Sequence, residues 1–234
     1  MIDLHSHILF GVDDGARTLE ESVEMVRGLA KLGVTTVCAT PHFVTDTEYA
    51  SKRAMNELRV FELSNALAAA EIKVRVVLGN EIYLDRETLT HVEAGAATGI
   101  NGSRYLLVEL PLSGWFDGCE DVMFELMQAG YRLILAHPER YESVQWHLEL
   151  AEHFVHNGIL LQCNLGSLMG RYGRQARRTA TALLKRGLVF GMGSDLHRPT
   201  SGRTLAAGLK RLSKICSDSR AREILVDNPR QILA

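Results

Sequence analysis

The chain is short of cysteine pairs, net charge and long apolar runs, and each shortage removes a class of protein. Its four cysteines, Cys38, Cys119, Cys163 and Cys216, are widely spaced and include no CxxC pair. Cys38 and Cys163 fall inside apolar runs, where a reduced, buried thiol is the expectation. No apolar run reaches the roughly 18–20 residues of a membrane-spanning helix, so no membrane insertion is expected. Met1-Ile2-Asp3-Leu4-His5 lacks the basic-then-apolar layout of a signal peptide, and a cytoplasmic location is expected. A formal net charge of −2 offers no overall attraction to nucleic acid, which is not expected as a partner. Low-complexity segments, Pro/Ser linkers and abrupt composition shifts are also missing, so residues 1–234 are expected to form one domain.

What is present is ample apolar material: 46% of 234 residues, enough for the large core of a single α/β barrel. Charge is unevenly spread. Between Leu165 and Arg222 lie thirteen Lys or Arg but only two acids, Asp195 and Asp218. Two readings stay open: solvated helix faces, or a basic rim for an anionic or phosphorylated partner.

Short β-rich apolar runs recur at residues 2–7, 34–40, 74–79, 105–110, 133–137, 159–164 and 188–193. Helical patterns alternate with them. Thr18-Leu19-Glu20-Glu21 forms a capping box, after which Leu19, Val23, Val26, Leu29 and Ala30 make one apolar stripe ending at Gly33. Further helices are expected near 48–70, 119–129, 144–157, 174–186 and 204–215. Seven strands alternating with helices predict parallel pairing and a closed or nearly closed barrel.

The polar residues then fall in a pattern. His5 and His7 end the first strand, His42 follows the second, Glu81 follows the third and Glu109 closes the fourth. His137 ends the fifth strand, Asn164 the sixth, and Asp195-Leu196-His197 follows the seventh. In a barrel those C-terminal ends converge on one face. A single HxH or DxH carries little weight; the convergence carries the argument. Glu109 follows Leu106-Leu107-Val108, where an uncompensated carboxylate is costly and a metal ion or an Arg would relieve it. His91, His147, His153 and His156 lack this placement and read as surface residues. Imidazole mixed with carboxylate, without thiolate, suits Zn²⁺, Mn²⁺ or Fe²⁺. The candidates are too many for one ion, and two or three metals suit phosphate ester hydrolysis.

This ordered set resembles the polymerase-and-histidinol-phosphatase (PHP) superfamily. The likeness extends to Val12-Asp13-Asp14-Gly15, Glu81-Ile82-Tyr83, Ala136-His137-Pro138-Glu139-Arg140-Tyr141 and Asp227-Asn228-Pro229-Arg230. With these segments the chain is similar to the bacterial capsule- and exopolysaccharide-associated tyrosine phosphatases of the CpsB type. The resemblance implies a distorted (β/α)7 TIM-like barrel with two or three divalent ions, Mn²⁺ first and Fe²⁺ or Zn²⁺ as alternatives. It assigns one metal to His5, His7, Glu81 and Asp195, and a second to Glu81, Glu109 and His137. A third falls to Asp14, His42 and His197, with Asp14 chosen over Asp13 on the family pattern alone. Attack would come from a hydroxide bridging the metals. Arg140 and Arg203, the latter after a short Gly-containing loop, are implied to bind phosphate through their planar forks. The implied partner is a phosphotyrosine protein, the tail of a tyrosine autokinase.

Two rival readings accompany this one: a small-molecule phosphatase acting on histidinol phosphate or nucleotides, and a non-catalytic, metal-stabilised kinase-binding module. The loops at 111–118 and 165–173 read as substrate rims, with Trp115 either exposed there or anchored in the core. Cys216 and Arg222 share the Cys-x5-Arg spacing of cysteine-dependent phosphatases. Their loop, however, has no Gly, and Asp218 would repel phosphate.

Overall fold

The computed structural model describes residues 1–50, 52–199 and 203–233. Among these the strands are β1 (Ile2–Ser6), β2 (Thr36–Ala39), β3 (His42–Phe43), β4 (Arg75–Leu78) and β5 (Glu81–Tyr83). They continue as β6 (Tyr105–Glu109), β7 (Arg132–Ala136), β8 (Leu160–Asn164) and β9 (Val189–Gly193). All pairs are parallel, in the orders β1-β2-β4 and β3-β5-β6-β7-β8-β9.

The seven expected strands are all here, but two of them bend. Pro41, which has no N–H for the ladder, separates β2 from β3, and Gly79-Asn80 separates β4 from β5. The Asn80 side chain bridges the break by donating to the Pro41 carbonyl at 3.0 Å. Each bent strand therefore runs from the smaller sheet into the larger one. On the other side Ser6 bridges Leu196, and the Asp195 N–H donates to the His5 carbonyl at 2.9 Å. The result is a distorted α/β barrel.

The helices are α1 (Leu19–Lys31), α2 (Arg53–Ala69), α3 (Thr88–Glu93), α4 (Cys119–Gln128) and α5 (Glu142–Trp146). They are followed by α6 (Glu149–His156), α7 (Gly173–Lys185), α8 (Arg203–Ile215), α9 (Asp218–Arg222) and α10 (Asn228–Leu233). The α1 cap forms as expected: Thr18 Oγ1 accepts the Glu21 N–H, and the Glu21 carboxylate accepts the Arg17 N–H. One expected helix, 144–157, is two. His147 leaves helical geometry at φ −130°, ψ 83°, and the chain turns before α6.

Alternation along the strands divides the core in two. Leu106, Val108, Leu133 and Leu135 join the large outer layer beneath the helices. Leu107, Ile134 and Ala136 face inward with Ile2, Leu4, Cys38 and Val77, and Ile232 of α10 packs with this inner cluster. Period two then turns Glu109 inward from Leu107, toward the C-terminal end of the barrel. In β1 the pairing register shifts between Asp3 and Ser6, as the strand passes from the inner core to the polar residues above it. Among the described residues no helix is long and apolar enough to cross a membrane.

Candidate metal centre

Above the inner core the strand ends bring nine side chains together: His5, His7, Asp14, His42, Glu81, Glu109, His137, Asp195 and His197. Glu81 is central. Its Oε2 lies 3.2 Å from both His5 Nε2 and His7 Nε2 and 3.1 Å from His42 Nδ1. Its other oxygen, Oε1, is 2.8 Å from His137 Nε2. Glu109 Oε1 stands 3.5 Å from the same His137 nitrogen, and Asp195 Oδ1 is 3.7 Å from both His5 and His7. Asp14 Oδ1 reaches 3.5 Å from His42 Nε2 and 3.4 Å from His197 Nε2.

Neighbouring side chains set the imidazole tautomers. His5 Nδ1 donates to Gln162 Oε1 at 2.8 Å, His7 Nδ1 to Asp13 Oδ2 at 2.7 Å, and His197 Nδ1 to the Asp195 carbonyl at 3.2 Å. In the neutral ring each Nε2 is thereby left with a lone pair directed into the cluster. His5 Nε2 and His7 Nε2 are only 3.2 Å apart, an arrangement that calls for a cation between them. His42 Nδ1 is buried with no hydrogen-bond partner although Glu81 is close. Among the described residues the donors gather into His5–His7–Glu81, His42–Glu81–Glu109 and His7–Asp14–His42–His197. The residues present fit divalent ions of the imidazole-carboxylate kind.

Electrostatics favours positive charge at the same place. Burial opposes protonation of His5, but Glu81 and Asp195 outweigh it and push its pKa up to about 9. Burial would raise Glu81 too, yet His5, His137 and His42 hold it well below the carboxylate range. Glu109 is pushed up by burial and then by Glu81. Asp14, hydrogen-bonded to His197, is drawn down to about 2. Two residues of the cluster also carry backbone strain: His137 at φ 33° and Asp195 at φ 49° are left-handed, although neither is Gly.

Asp13 and Asp14 have different surroundings. Asp13 is taken up by His7 Nδ1 and by the Gly15 and His42 N–H groups, so it orients ligands. Asp14 faces His42 and His197. Gly15 is required beside them, because an added Cβ would collide with the His7 carbonyl.

The cluster floors a cavity of about 460 Å³ whose wall includes Arg140, Arg171, Tyr172 and Arg198. Arg140 Nη1 lies 3.3 Å from Asp195 Oδ2. Arg203 does not line this cavity. It is the first residue of α8, exposed, in a shallow groove with Met169, Gly170 and Arg171. Residues 200–202 of the Gly-containing loop before it lie outside the described residues. Arg198 was missed by the motif reading. It donates through Nη1 to the Asp14, Gly15 and His197 carbonyls, tying the Asp14 turn to the segment after β9. Its position next to His197 was the available signal. Gln162 and Asn164 were a second one, since two amides at i and i+2 on β8 repeat the His5/His7 spacing.

Trp115 packs against Tyr141 and Phe154, with ring centroids 6.2 and 5.6 Å away, and so is a core anchor; Leu112 is the exposed large apolar residue of that loop. His147, His153 and His156 are exposed and His91 is half-buried, all away from the cluster. Burial raises the Cys216 thiol pKa, against the needs of a nucleophile.

Fold and donor set together define a distorted α/β barrel whose strand ends gather imidazoles and carboxylates suited to divalent ions. The chain belongs to the CpsB/CapC family of capsular polysaccharide synthesis, whose family model matches residues 1–234. It is 31% identical to YwqE, a tyrosine-protein phosphatase of Bacillus subtilis (strain 168), over 84% of this chain and 77% of that one. A crystal structure from work on B. subtilis YwqE and Streptococcus pneumoniae CpsB, described as unique metal-dependent tyrosine phosphatases, superimposes with a TM-score of 0.90. That match has 28% identity and covers 100% of this chain and 94% of the other. A histidinol phosphate phosphatase from Lactococcus lactis shares the fold at a TM-score of 0.55 and 13% identity, over 91% of this chain and 92% of its own.

Proposed function

We propose that the protein is a metal-dependent protein-tyrosine phosphatase, one domain over residues 1–234, acting in the cytoplasm on the phosphotyrosine tail of an autokinase that controls capsule or exopolysaccharide synthesis. The observation that carries this reading is a cluster of nine ligand-type side chains, seven of which line one open cavity together with Arg140. We assign one ion to His5, His7, Glu81 and Asp195, a second to Glu81, Glu109 and His137, and a third to Asp14, His42 and His197. The donor set suits Mn²⁺, Fe²⁺ or Zn²⁺, and the family resemblance puts Mn²⁺ first. When bound, such ions supply Lewis acidity and an activated water for phosphate ester hydrolysis.

The chain's own residues do the rest. Arg140, at the cavity wall, offers the planar fork that pairs with phosphate oxygens. Arg171 and Arg198 add positive charge to that wall. The basic surface of α7 and α8 beyond them would steer an acidic or phosphorylated protein toward the mouth. Arg203, on the groove next door, is assigned to hold the substrate chain rather than the scissile phosphate.

The test is turnover of a phosphotyrosine peptide by chelator-stripped protein, with and without added Mn²⁺, against histidinol phosphate as competitor substrate. Activity that vanishes on stripping and returns with metal, on the peptide in preference to histidinol phosphate, is expected. A reloaded protein that turns over only histidinol phosphate would move the assignment to small molecules. One that turns over neither, while still binding a kinase tail, would make it a binding module.

A further inference from the structure

Residues 165–173 join β8 to α7 and lie beside the metal cavity. The segment is pinned from below, where Ser167 Oγ donates to the buried Glu139 Oε1 at 2.6 Å and the Asn164 N–H donates to the same oxygen at 2.9 Å. Gly166 then lies under the side chains of Arg171 and Tyr172, so close that a Cβ there would stand 3.2 Å from Arg171 Cδ and 3.3 Å from Tyr172 Cε2. Glycine lets the Tyr172 ring settle against the backbone. The ring is thus placed by its own loop.

From that position Tyr172 makes contacts of two kinds, a hydrogen bond through its hydroxyl and cation–π contacts through its ring, with Arg171 at 5.6 Å and Arg140 closer. Its hydroxyl donates to Asp195 Oδ2 at 2.8 Å. The Arg140 guanidinium lies over its ring, 4.6 Å from the centroid. Asp195 Oδ2 also accepts from Asn164 Nδ2 at 2.7 Å, and Arg140 Nη1 is 3.3 Å away. The carboxylate is therefore divided: Oδ2 is held by three donors, which turns Oδ1 toward His5, His7 and His197.

We infer that Tyr172 is a positioning residue that couples the metal centre to the phosphate-binding arginine. Its hydroxyl fixes the rotamer of the ligand carboxylate Asp195, and its ring fixes the plane of Arg140. The inference rests on the metal-phosphatase reading above, and its two arms can be measured without turnover. A hydrogen bond to a metal ligand typically governs about 10–100-fold in metal affinity. A cation–π contact in a half-desolvated wall governs several-fold in anion affinity.

The experiment compares Tyr172→Phe and Tyr172→Leu with wild type, after circular dichroism has matched the three folds. Metal retention is read as Mn²⁺ per chain after dialysis against graded free Mn²⁺. Phosphate affinity is read by calorimetry with inorganic phosphate on fully loaded protein. Tyr172→Phe, which keeps the ring, should lose about tenfold in Mn²⁺ affinity and keep phosphate binding. Tyr172→Leu should show the same metal loss and, in addition, bind phosphate about fivefold more weakly. Wild-type Mn²⁺ retention in Tyr172→Phe would overturn the inference, as would equal phosphate affinity in the two variants. A failure of the phosphotyrosine assignment would show instead as absent peptide turnover in wild type, with these two readouts unaffected.

Discussion

His5, His7, Glu81 and Asp195 have side chains 0–2% exposed, whereas Asp14, His42 and His197 are 49%, 18% and 24% exposed. The two halves of the proposed ligand set differ in support. In the buried half His5 is held by Gln162, His7 by Asp13, and Asp195 by Asn164, Arg140 and Tyr172. In the open half Asp14 sits on a turn held through its backbone, by Arg198 on the Asp14 and Gly15 carbonyls, by Asp13 on the Gly15 N–H and by the His7 carbonyl on the Ala16 N–H. Buried, hydrogen-bonded side chains are pre-oriented and lose little entropy on binding an ion, while exposed side chains have more rotamer freedom to lose. The buried half should therefore hold its metal more tightly, and the open half should exchange.

The largest effect should come from Glu81→Gln, which removes the carboxylate common to the buried half and its neighbours. Peptide kcat/KM should fall about a thousandfold, or ~4 kcal/mol. A fall of less than tenfold would mean that Glu81 is not the shared ligand. Next, Asp13→Ala should weaken metal retention roughly 10–100-fold, by freeing His7 to rotate. Asp14→Ala should abolish one metal equivalent and leave the rest, as read by metal analysis after dialysis. The reverse outcome would exchange the roles of the two aspartates.

Metal removal is a gentler probe of the same contrast. With Mn²⁺ at about a hundred times its dissociation constant, mass action adds roughly 2.7 kcal/mol to the folded state, or on the order of 5–10 °C in Tm. Graded chelator should release the ions in two steps, the first with little change in Tm and the second with most of it. A single step would erase the distinction between the halves. The smallest effect should be that of Cys216→Ser, which lies outside both: activity should stay within about twofold of wild type, and its loss would overturn the metal mechanism.

The buried half was legible because its ligands sit on or just after strands, where two-residue spacing translates directly into a shared direction. Glu109 stood out for the same reason, a carboxylate ending an apolar run. The open half was harder. Asp13 and Asp14 are chemically alike and adjacent, and only the turn closed at Gly15 gives one to His7 and the other to His42 and His197. The bends at Pro41 and Gly79-Asn80 left strand periodicity readable but hid that two strands each serve two sheets. Arg203 matched a motif, yet α8 places it on the neighbouring groove, while Arg171, Tyr172 and Arg198 line the cavity with no periodic signal. Trp115 lay in a loop that read as a substrate rim, where it could be exposed or anchored in the core, and its packing on Tyr141 and Phe154 comes from elements far away in sequence.

By itself, then, the sequence determined the alternating strands and helices, the inward-facing apolar residues and the type of ligand at each strand end. Those depend on local periodicity and on side-chain chemistry, which act over a few residues. Only the tertiary structure decided which aspartate faces His42 and His197, which arginines share the cavity and how Tyr172 joins Asp195 to Arg140. Those depend on loop paths, where a single left-handed residue or missing Cβ moves a side chain by several ångströms, and no local pattern encodes the result.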